Sequence, residues 1–475
     1  MKHGTARRIA TNFASLMAGE VISKLLQLVL FVFLAQALGK EEFGIFSLGI
    51  AFALLTVIIA DFGLTTLLIR EISRNKSAAS KYLSNAIIVK ALLSIVTIVS
   101  AYLFLNLLDY TPKVKLVAYI MLSFTLIQSF TNVHYSIFRA FERMHYDASI
   151  KIFRMVILAI SVIYIVKQGH GLVIASLAFP LTEIIVLVVT ASIVYTKFIK
   201  IRFEFDYSFS KKLLKKSSLF CLSLVFAGLF TYTDSIMLSK IHSTTEVGIY
   251  AAAANITLAL IFISLMYGNA IYPVISRFFI SSKKSLKLAY ERSFKYMFII
   301  ILPISAGLYA MSDKIIALLY GPQYAGSAIV LSILSGYLFL RSLNIVSGFT
   351  LSSINKQKSR VFSQGTVAII NIILNLILIP TYGFIGAAIA TLITEIVFFL
   401  LYTSFIIRYG LRIRPIHTLL RPLIAVAIMV LALSFIDNLF IAVILGGSVY
   451  LVALLVLGTI DKEDKLIFNK VIKDV

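Results

Sequence analysis

From Ile9 the chain runs almost without a charge to Gly39, and from Phe43 a second apolar run continues to Ile69. Each run exceeds the ~20 residues an apolar helix needs to cross a bilayer. Runs of this kind recur along the whole sequence. Backbone groups in hydrocarbon must be satisfied within the segment, and the runs far exceed the roughly 10-residue alternating strands of an outer-membrane barrel, so they read as helices. Of 475 residues, 60% are hydrophobic and 14% charged, and the mean hydropathy is +0.97. This is the composition of an all-α polytopic membrane protein.

Fourteen spans are expected, near 9–38, 43–69, 82–108, 114–138, 152–166, 171–196, 217–239, 247–276, 293–311, 325–353, 361–380, 384–407, 422–436 and 439–460. The net charge of +23 could suggest a nucleic-acid partner, but its distribution argues against one. Of the 44 lysines and arginines, only Lys40, Lys113, Lys115, Lys167, Lys240 and Lys314 fall in one set of alternate loops, and Lys24, Lys90 and Arg341 fall within spans. The rest lie in the other set of loops and the tails, which places both termini in the cytoplasm by the positive-inside rule. The first run lacks a small-residue cleavage site and reads as a retained span. The lone Cys221 can form no internal disulfide, and the six histidines are scattered singly, against a metal cluster.

The stretch at Leu34 returns 204 residues later: Leu34, Glu42, Gly44, Ile45 and Phe46 become Leu238, Glu246, Gly248, Ile249 and Tyr250. A second match, at an interval of 212, carries Gly171, Ala175 and Thr182-Glu183-Ile184 to Gly383, Ala387 and Thr394-Glu395-Ile396. Spans 1–6 thus answer spans 7–12. An even number of spans separates the copies, so they share one orientation about an axis along the membrane normal. The expected division is a six-helix bundle over 1–200, a second over 201–410, and spans 13 and 14 with a cytoplasmic tail over 411–475. The lysine-rich connection 197–216 is the expected hinge.

The pattern LAxxLGxxxFGxxxL at 34–48, the helix closing on Asp61-Phe-Gly-Leu, RAFERMHY at 139–146 and IPTYGFIGAAIATLITE at 379–395 resemble the Wzx-type polysaccharide-biosynthesis flippases. Those belong to the multidrug/oligosaccharidyl-lipid/polysaccharide (MOP) superfamily. The resemblance covers nearly the whole chain. It implies a transporter, not an enzyme, that moves isoprenoid-linked oligosaccharide from the cytoplasmic to the outer leaflet of the cell membrane by alternating access. Its partners would be the lipid-linked oligosaccharide, membrane lipid, and a glycosyltransferase or polymerase recruited to the basic loops. No cofactor is implied, and sodium or proton coupling is open. The alternative is a cation-coupled multidrug or metabolite antiporter of the same superfamily, against which fourteen spans and a mid-membrane arginine count. A membrane glycosyltransferase would need acids on a sizeable outer loop, and all outer loops are short. No nucleotide-binding motif is present.

Charges within spans cost about 2.5–3.5 kcal/mol at the bilayer centre and usually face the bundle interior. Glu20 and Lys24, four residues apart, can neutralise each other along one helix face, or Lys24 can serve as a free cation for a phosphate. Arg341, with no acid within a turn, suits a diphosphate or pairs across the bundle with Asp61, Glu183 or Glu395. Lys90 is expected to snorkel to the headgroups. Asp61 either seals the inner end of a cationic chamber or ties helices together. Glu183 and Glu395, at equivalent repeat positions, are structural or couple to protons or cations. The two last spans are padding or, as in the related lipid II flippases, line a groove for a lipid tail.

Asp234, Asn375 and Thr391 each lie about 8–10 Å from the outer ends of their helices, and Asn371 shares a face with Asn375. The set resembles the sodium site of lipid II flippases, although Asn375 stands where an acid is usual. The plainer reading is an interhelical amide network.

Overall fold

The computed structural model describes residues 2–200, 204–411, 415–459 and 464. Among them there are fourteen α-helices and no strand. They are α1 (Lys2–Asp61), α2 (Leu64–Arg74), α3 (Ala79–Leu107), α4 (Pro112–Ala140), α5 (Met144–Lys167), α6 (Leu172–Lys197), α7 (Tyr207–Ile241) and α8 (Thr244–Ser281). There follow α9 (Lys283–Ala310), α10 (Ser312–Tyr320), α11 (Gly326–Ser353), α12 (Gln357–Arg408), α13 (Pro415–Leu433) and α14 (Leu439–Val456). Eleven stretches are long and apolar enough to span a membrane. Two of them, Leu16–Asp61 and Gln357–Arg408, would measure about 69 and 78 Å if straight, more than twice the ~30 Å hydrocarbon core. Each breaks at one glycine in a non-helical conformation, Gly39 (φ 78°, ψ 171°) and Gly383 (φ 53°, ψ −131°). Dividing both there, and counting the shorter apolar helix within α13, accounts for fourteen spans. The expected turns at 39–42 and 381–383 are thus single-residue kinks, possible because glycine carries no Cβ to oppose positive φ.

The second span ends at Asp61, eight residues before the expected Ile69. Phe62 (φ 45°) and Gly63 (φ 73°) are both left-handed, and two such residues in succession cannot continue a right-handed helix. A Cβ on Gly63 would stand 2.7 Å from Phe220 Cβ and 2.9 Å from Cys221 N, so α7 passes close against this break. The chain restarts as α2, whose Leu64, Leu67, Leu68 and Ile72 are buried. Other boundaries also shift. α5 begins at Met144 rather than 152, and the short α10 with the 3₁₀ turn Pro322–Tyr324 was not expected; it buries Tyr320 and Tyr324. The expected hinge is shorter than 197–216, because α6 reaches Lys197 and α7 starts at Tyr207. Its ends are stitched to α3: Ser80 donates to the Lys200 carbonyl, Asn85 donates to the Glu204 carbonyl and accepts from the Asp206 amide, and Asp206 caps α7 through the Phe209 amide.

The chain forms two compact units, Met1–Asn255 with Ala368–Ala387, and Ile256–Val367 with Ala388–Val475. The boundaries fall inside α8 and α12. The expected bundles 1–200 and 201–410 divide the chain by repeat, and these units divide it by packing. In the first unit a core of Leu68, Ile72, Leu83, Phe138, Val186 and Val194 joins α2, α3, α4 and α6. In the second, Val426, Met429, Leu433, Tyr450 and Leu454 of α13 and α14 form a core flanked by Ile299 and Leu302 of α9, and Tyr450 donates to the Ile299 carbonyl at 2.9 Å. The faces left open are apolar, as on α3 (Leu92, Ile95, Val99, Leu103) and α14 (Val443, Ile444, Leu451, Leu455), which suits lipid as solvent. The expected tail lies outside the described residues except for Asp464.

Candidate functional site

In the first unit, charge gathers where α1, α4, α5 and α6 carry polar residues among apolar turns. Glu20 pairs with Lys151 of α5, not with Lys24. Lys151 also stands 3.1 Å from Asp147, whose other oxygen takes Arg139 at 2.7 Å. Arg154 faces Glu183 at 3.7 Å, and both Glu183 carboxylate oxygens are buried without a hydrogen bond. Lys24, released from Glu20, donates to Gln27 at 3.0 Å. Among the described residues, four cations (Lys24, Arg139, Lys151, Arg154) therefore meet three acids (Glu20, Asp147, Glu183), one positive charge in excess. The i, i+4 pairing expected of Glu20 and Lys24 fails because Lys151 offers Glu20 an ammonium from the facing helix.

Sequence reasoning missed Asp147, Lys151 and Arg154, because with α5 expected from 152 they fell in or at the edge of a loop. The signal was present. Positions 147, 151 and 154 are spaced i, i+4, i+7, one face of a helix.

Asp61 accepts from Lys90 Nζ at 2.8 Å and from Thr65 at 2.6 Å, and Lys90 also donates to the Ser129 carbonyl and hydroxyl. Lys90 is fully buried and does not snorkel. The kink at Phe62 and Gly63 brings Asp61 to the end of its helix, where the carboxylate meets the ammonium directly.

In the second unit Arg341 of α11 pairs with Glu395 of α12 at 3.6 Å and lies over the Phe398 ring. Glu395 also accepts from Asn344 Nδ2 at 2.6 Å. Lys24 and Arg341, the two expected headgroup cations, belong to different units.

Of the expected cation set, Asp234, Asn371 and Asn375 come together in the first unit. Asn375 Nδ2 donates to Asp234 Oδ1 at 2.6 Å and to Asn371 Oδ1 at 3.1 Å, and Tyr250, not foreseen, donates to Asp234 Oδ2 at 3.0 Å. All four side chains are buried. Asn375 Oδ1 and Asn371 Nδ2 have no hydrogen-bond partner. Thr391 is buried on α12 beyond the Gly383 kink, in the second unit. Among the described residues no three His, Cys, Asp or Glu side chains form a metal-binding group.

Two features lie outside the spans. Glu71 is drawn to Arg70, Arg74 and Lys216; burial acts against its carboxylate, but these cations outweigh it and hold its pKa below the ordinary glutamate value. Near the α1 kink a cleft of about 490 Å³ is lined by Leu38, Glu42, Lys113, His170, Gly171 and Leu172, among others. Here the repeat is asymmetric. Glu246 accepts the Phe384 amide at 3.0 Å and so caps the second half of α12, whereas its counterpart Glu42 pairs with Lys113.

About fourteen spans, with no strand among the described residues, with buried ion pairs and two helix pairs each joined at a glycine kink, define a polytopic transporter of the MOP type. The family model for polysaccharide biosynthesis proteins matches residues 9–279, more than half the chain, and the protein belongs to that family. It is similar to a probable low-salt glycan biosynthesis flippase, Agl15, of Haloferax volcanii, at 25% identity over 397 residues, 81% of this chain and 80% of that one. A putative O-antigen transporter of Shigella flexneri is 24% identical over 188 residues, 39% of this chain and 44% of that one. Among solved structures, the lipid II flippase MurJ in an inward closed conformation shares the fold with a TM-score of 0.78 at 18% identity, covering 92% of this chain and 97% of its own. An outward-facing multidrug resistance MATE transporter matches with a TM-score of 0.64 at 18% identity, covering 85% and 95%.

Proposed function

We propose that the protein is a flippase that carries an isoprenoid-lipid-linked oligosaccharide from the cytoplasmic to the outer leaflet of the cell membrane, for surface polysaccharide or glycan assembly. The observation that carries this reading is the family match over 9–279, whose relatives are named flippases and an O-antigen transporter. Chemistry supports it. The substrate's head is a phosphate or diphosphate, and among the described residues of the first unit the partly buried cluster around Lys24 holds one more cation than acid. Arg341 beside Glu395 brings a planar guanidinium, the group best suited to phosphate oxygens, into the second unit. Flipping breaks no covalent bond and needs no catalytic group. Both termini face the cytoplasm in this reading, with basic loops on that leaflet.

Coupling to sodium or protons falls to Asp234 with Asn371 and Asn375. A half-turn of the Asn375 amide replaces its donor by the oxygen that now lacks a partner, and the trio becomes a set of oxygens suited to a hard cation. The MATE-like fold keeps the cation-coupled antiporter as the second reading. Deleting the gene and assaying lipid-linked intermediates by leaflet decides between them. Complete lipid-linked oligosaccharide accumulating on the cytoplasmic side supports the flippase, and normal intermediates with altered drug tolerance overturn it.

A further inference from the structure

His242 occupies the turn between α7 and α8, and both nitrogens of its ring are engaged. Nε2 stands 2.8 Å from the Ile379 carbonyl oxygen, and Nδ1 stands 3.2 Å from Glu246 Oε1. The other oxygen of that carboxylate accepts the Phe384 amide at 3.0 Å and lies against Gly383, where a Cβ would stand 2.4 Å from it. Ile379 and Phe384 flank the non-helical Gly383, so one histidine and one glutamate hold the kink of α12 from both sides. All of these residues belong to the first unit. Ser243 and Glu246 have the spacing of a capping box, and the Ser243 hydroxyl accepts the Glu246 amide at 3.3 Å, but the carboxylate reaches across to α12.

This arrangement takes up a proton. A carbonyl only accepts, so Nε2 carries a hydrogen and donates to Ile379. In a neutral ring Nδ1 is then a lone pair, which repels a carboxylate oxygen. The 3.2 Å approach is attractive with one further proton between them, which makes the ring an imidazolium paired with Glu246.

The first copy of the repeat is built differently. Leu38 and Glu42 answer His242 and Glu246 at the interval of 204, and Gly171 and Leu172 answer Gly383 and Phe384 at the interval of 212. There Glu42 pairs with the ammonium of Lys113, and all four equivalents line the cleft of about 490 Å³. What is a closed contact in the second copy is an open cleft in the first.

We infer that His242 and Glu246 form a proton-operated latch on the Gly383 kink, closed when the imidazole is charged and released as the ring loses its proton with rising pH. The ring is 29% exposed, in one of the loops poor in lysine and arginine, so protons reach it from water. Glu246 of α8 is the acid that meets it. On α7, Lys240 turns to the Asp109 carbonyl and the Tyr110 ring. On α12 the titratable neighbour is the exposed Tyr382, and Lys40 and Glu41 lie on the α1 turn whose carbonyl packs on Gly248. The latch stands apart from the flippase reading.

The full-length protein in lipid nanodiscs is compared at about pH 6 and pH 8, either side of the range where histidines change charge, by hydrogen exchange of the peptide 379–387. Rates are corrected for the intrinsic effect of pH. The wild type should lose protection about ten-fold between the two, the scale of one charge-assisted hydrogen bond. His242→Leu, which installs the side chain of the first copy, should be weakly protected at both values. His242→Arg, a permanent cation with several donors, should be protected at both. His170→Gln, which alters the other histidine of the lysine-poor loops, should respond as the wild type does. Equal wild-type protection at both pH values overturns the inference, as does a response that survives in His242→Leu and His242→Arg or is lost in His170→Gln. Should the His242 variants fail to fold, Glu246→Gln decides, because its amide oxygen still accepts from Phe384 but offers the ring no charge; a response retained there overturns the latch. Exchange is read without transport, so the outcome is independent of the leaflet assay.

Discussion

Gly44 and Gly248, equivalent positions of the repeat 204 residues apart, lie backbone against backbone. A Cβ on Gly44 would sit 1.7 Å from the Thr244 carbonyl oxygen and 2.9 Å from Gly248 N; a Cβ on Gly248 would sit 2.0 Å from the Lys40 carbonyl oxygen and 3.1 Å from Gly44 N. Thr244 is itself the repeat counterpart of Lys40, so each copy of the motif packs its glycine on the same carbonyl of the other. This reciprocity is what two copies related by a two-fold axis produce.

Neither carbonyl belongs to a flexible side chain, so the contact cannot yield cheaply. Gly44→Ala and Gly248→Ala should each destabilise by about 3 kcal/mol or more, at the upper end of overpacking costs. Gly307→Ala is the control, since a Cβ there meets nothing within 4 Å and alanine favours the helix. Thermal midpoints in detergent provide the comparison. Equal midpoints for Gly44→Ala and Gly307→Ala would contradict the close approach.

The buried Lys90 depends on Asp61. Asp61→Asn removes the carboxylate that this ammonium meets and should cost roughly 3–5 kcal/mol, the range for breaking a buried pair. Adding Lys90→Met removes the stranded charge, so the double variant should recover most of the loss. A double variant as unstable as Asp61→Asn alone would show that the Asp61 contact with Thr65 at the helix break matters more than the ion pair.

Glu71 predicts a pH dependence at the α2 surface. Its folded pKa lies below the ordinary value of 4.5, so its ion pairs add stability above that value and lose it as the pH falls through the folded pKa. Stability should therefore drop below about pH 4.5 in the wild type, and the part due to this site should vanish in Glu71→Gln. An identical acid limb in both proteins would dismiss the cluster.

Much of the fold was legible because a bilayer forces apolar helices of known length, and because the stretches around Leu34 and Gly171 return 204 and 212 residues later. The break after Asp61 was not legible. Asp-Phe-Gly-Leu reads as an apolar continuation, and only the passage of α7 past Gly63 shows why the helix must stop. Pairings across helices were hidden for a similar reason. Spacing along one helix suggested Glu20 with Lys24, but Lys151 approaches from α5, and nothing local announces it. The meeting of Asp234 with Asn375 was legible from their equal depth and that of Asn371 from its i, i+4 spacing to Asn375, whereas Thr391, counted into the same layer, falls in the second unit. Tyr250 escaped, since one more tyrosine among 23 in an aromatic-rich chain carries no mark.

Arg341 can serve the substrate or merely neutralise Glu395, and a double-variant cycle separates the roles. Arg341→Gln should lower export at least ten-fold while the protein remains inserted. If neutralisation were its whole task, adding Glu395→Gln would restore export, because the buried acid is then uncharged. The flippase reading expects the double variant to stay impaired, and Lys24→Gln to lower export independently. Full export by the Arg341→Gln/Glu395→Gln variant would remove Arg341 from headgroup binding.

Asp234 supplies the only formal charge of the buried trio with Asn371 and Asn375, so its replacement tests coupling rather than folding. Asp234→Asn keeps the shape; its one amide oxygen still accepts from Asn375 while its NH2 donates to the Tyr250 hydroxyl in place of accepting from it, so stability should change by no more than about 1–2 kcal/mol, the scale of hydrogen bonds within membranes. What it loses is the negative charge that a hard cation needs once the Asn375 amide has turned its oxygen inward. Transport in vesicles should therefore lose its dependence on an imposed sodium or proton gradient in Asp234→Asn, and Asn375→Asp, which adds a second carboxylate, should tighten that dependence. If Asp234→Asn transports with an unchanged ion dependence, the trio is only an amide network that holds α7 to α12, and the coupling ion binds elsewhere.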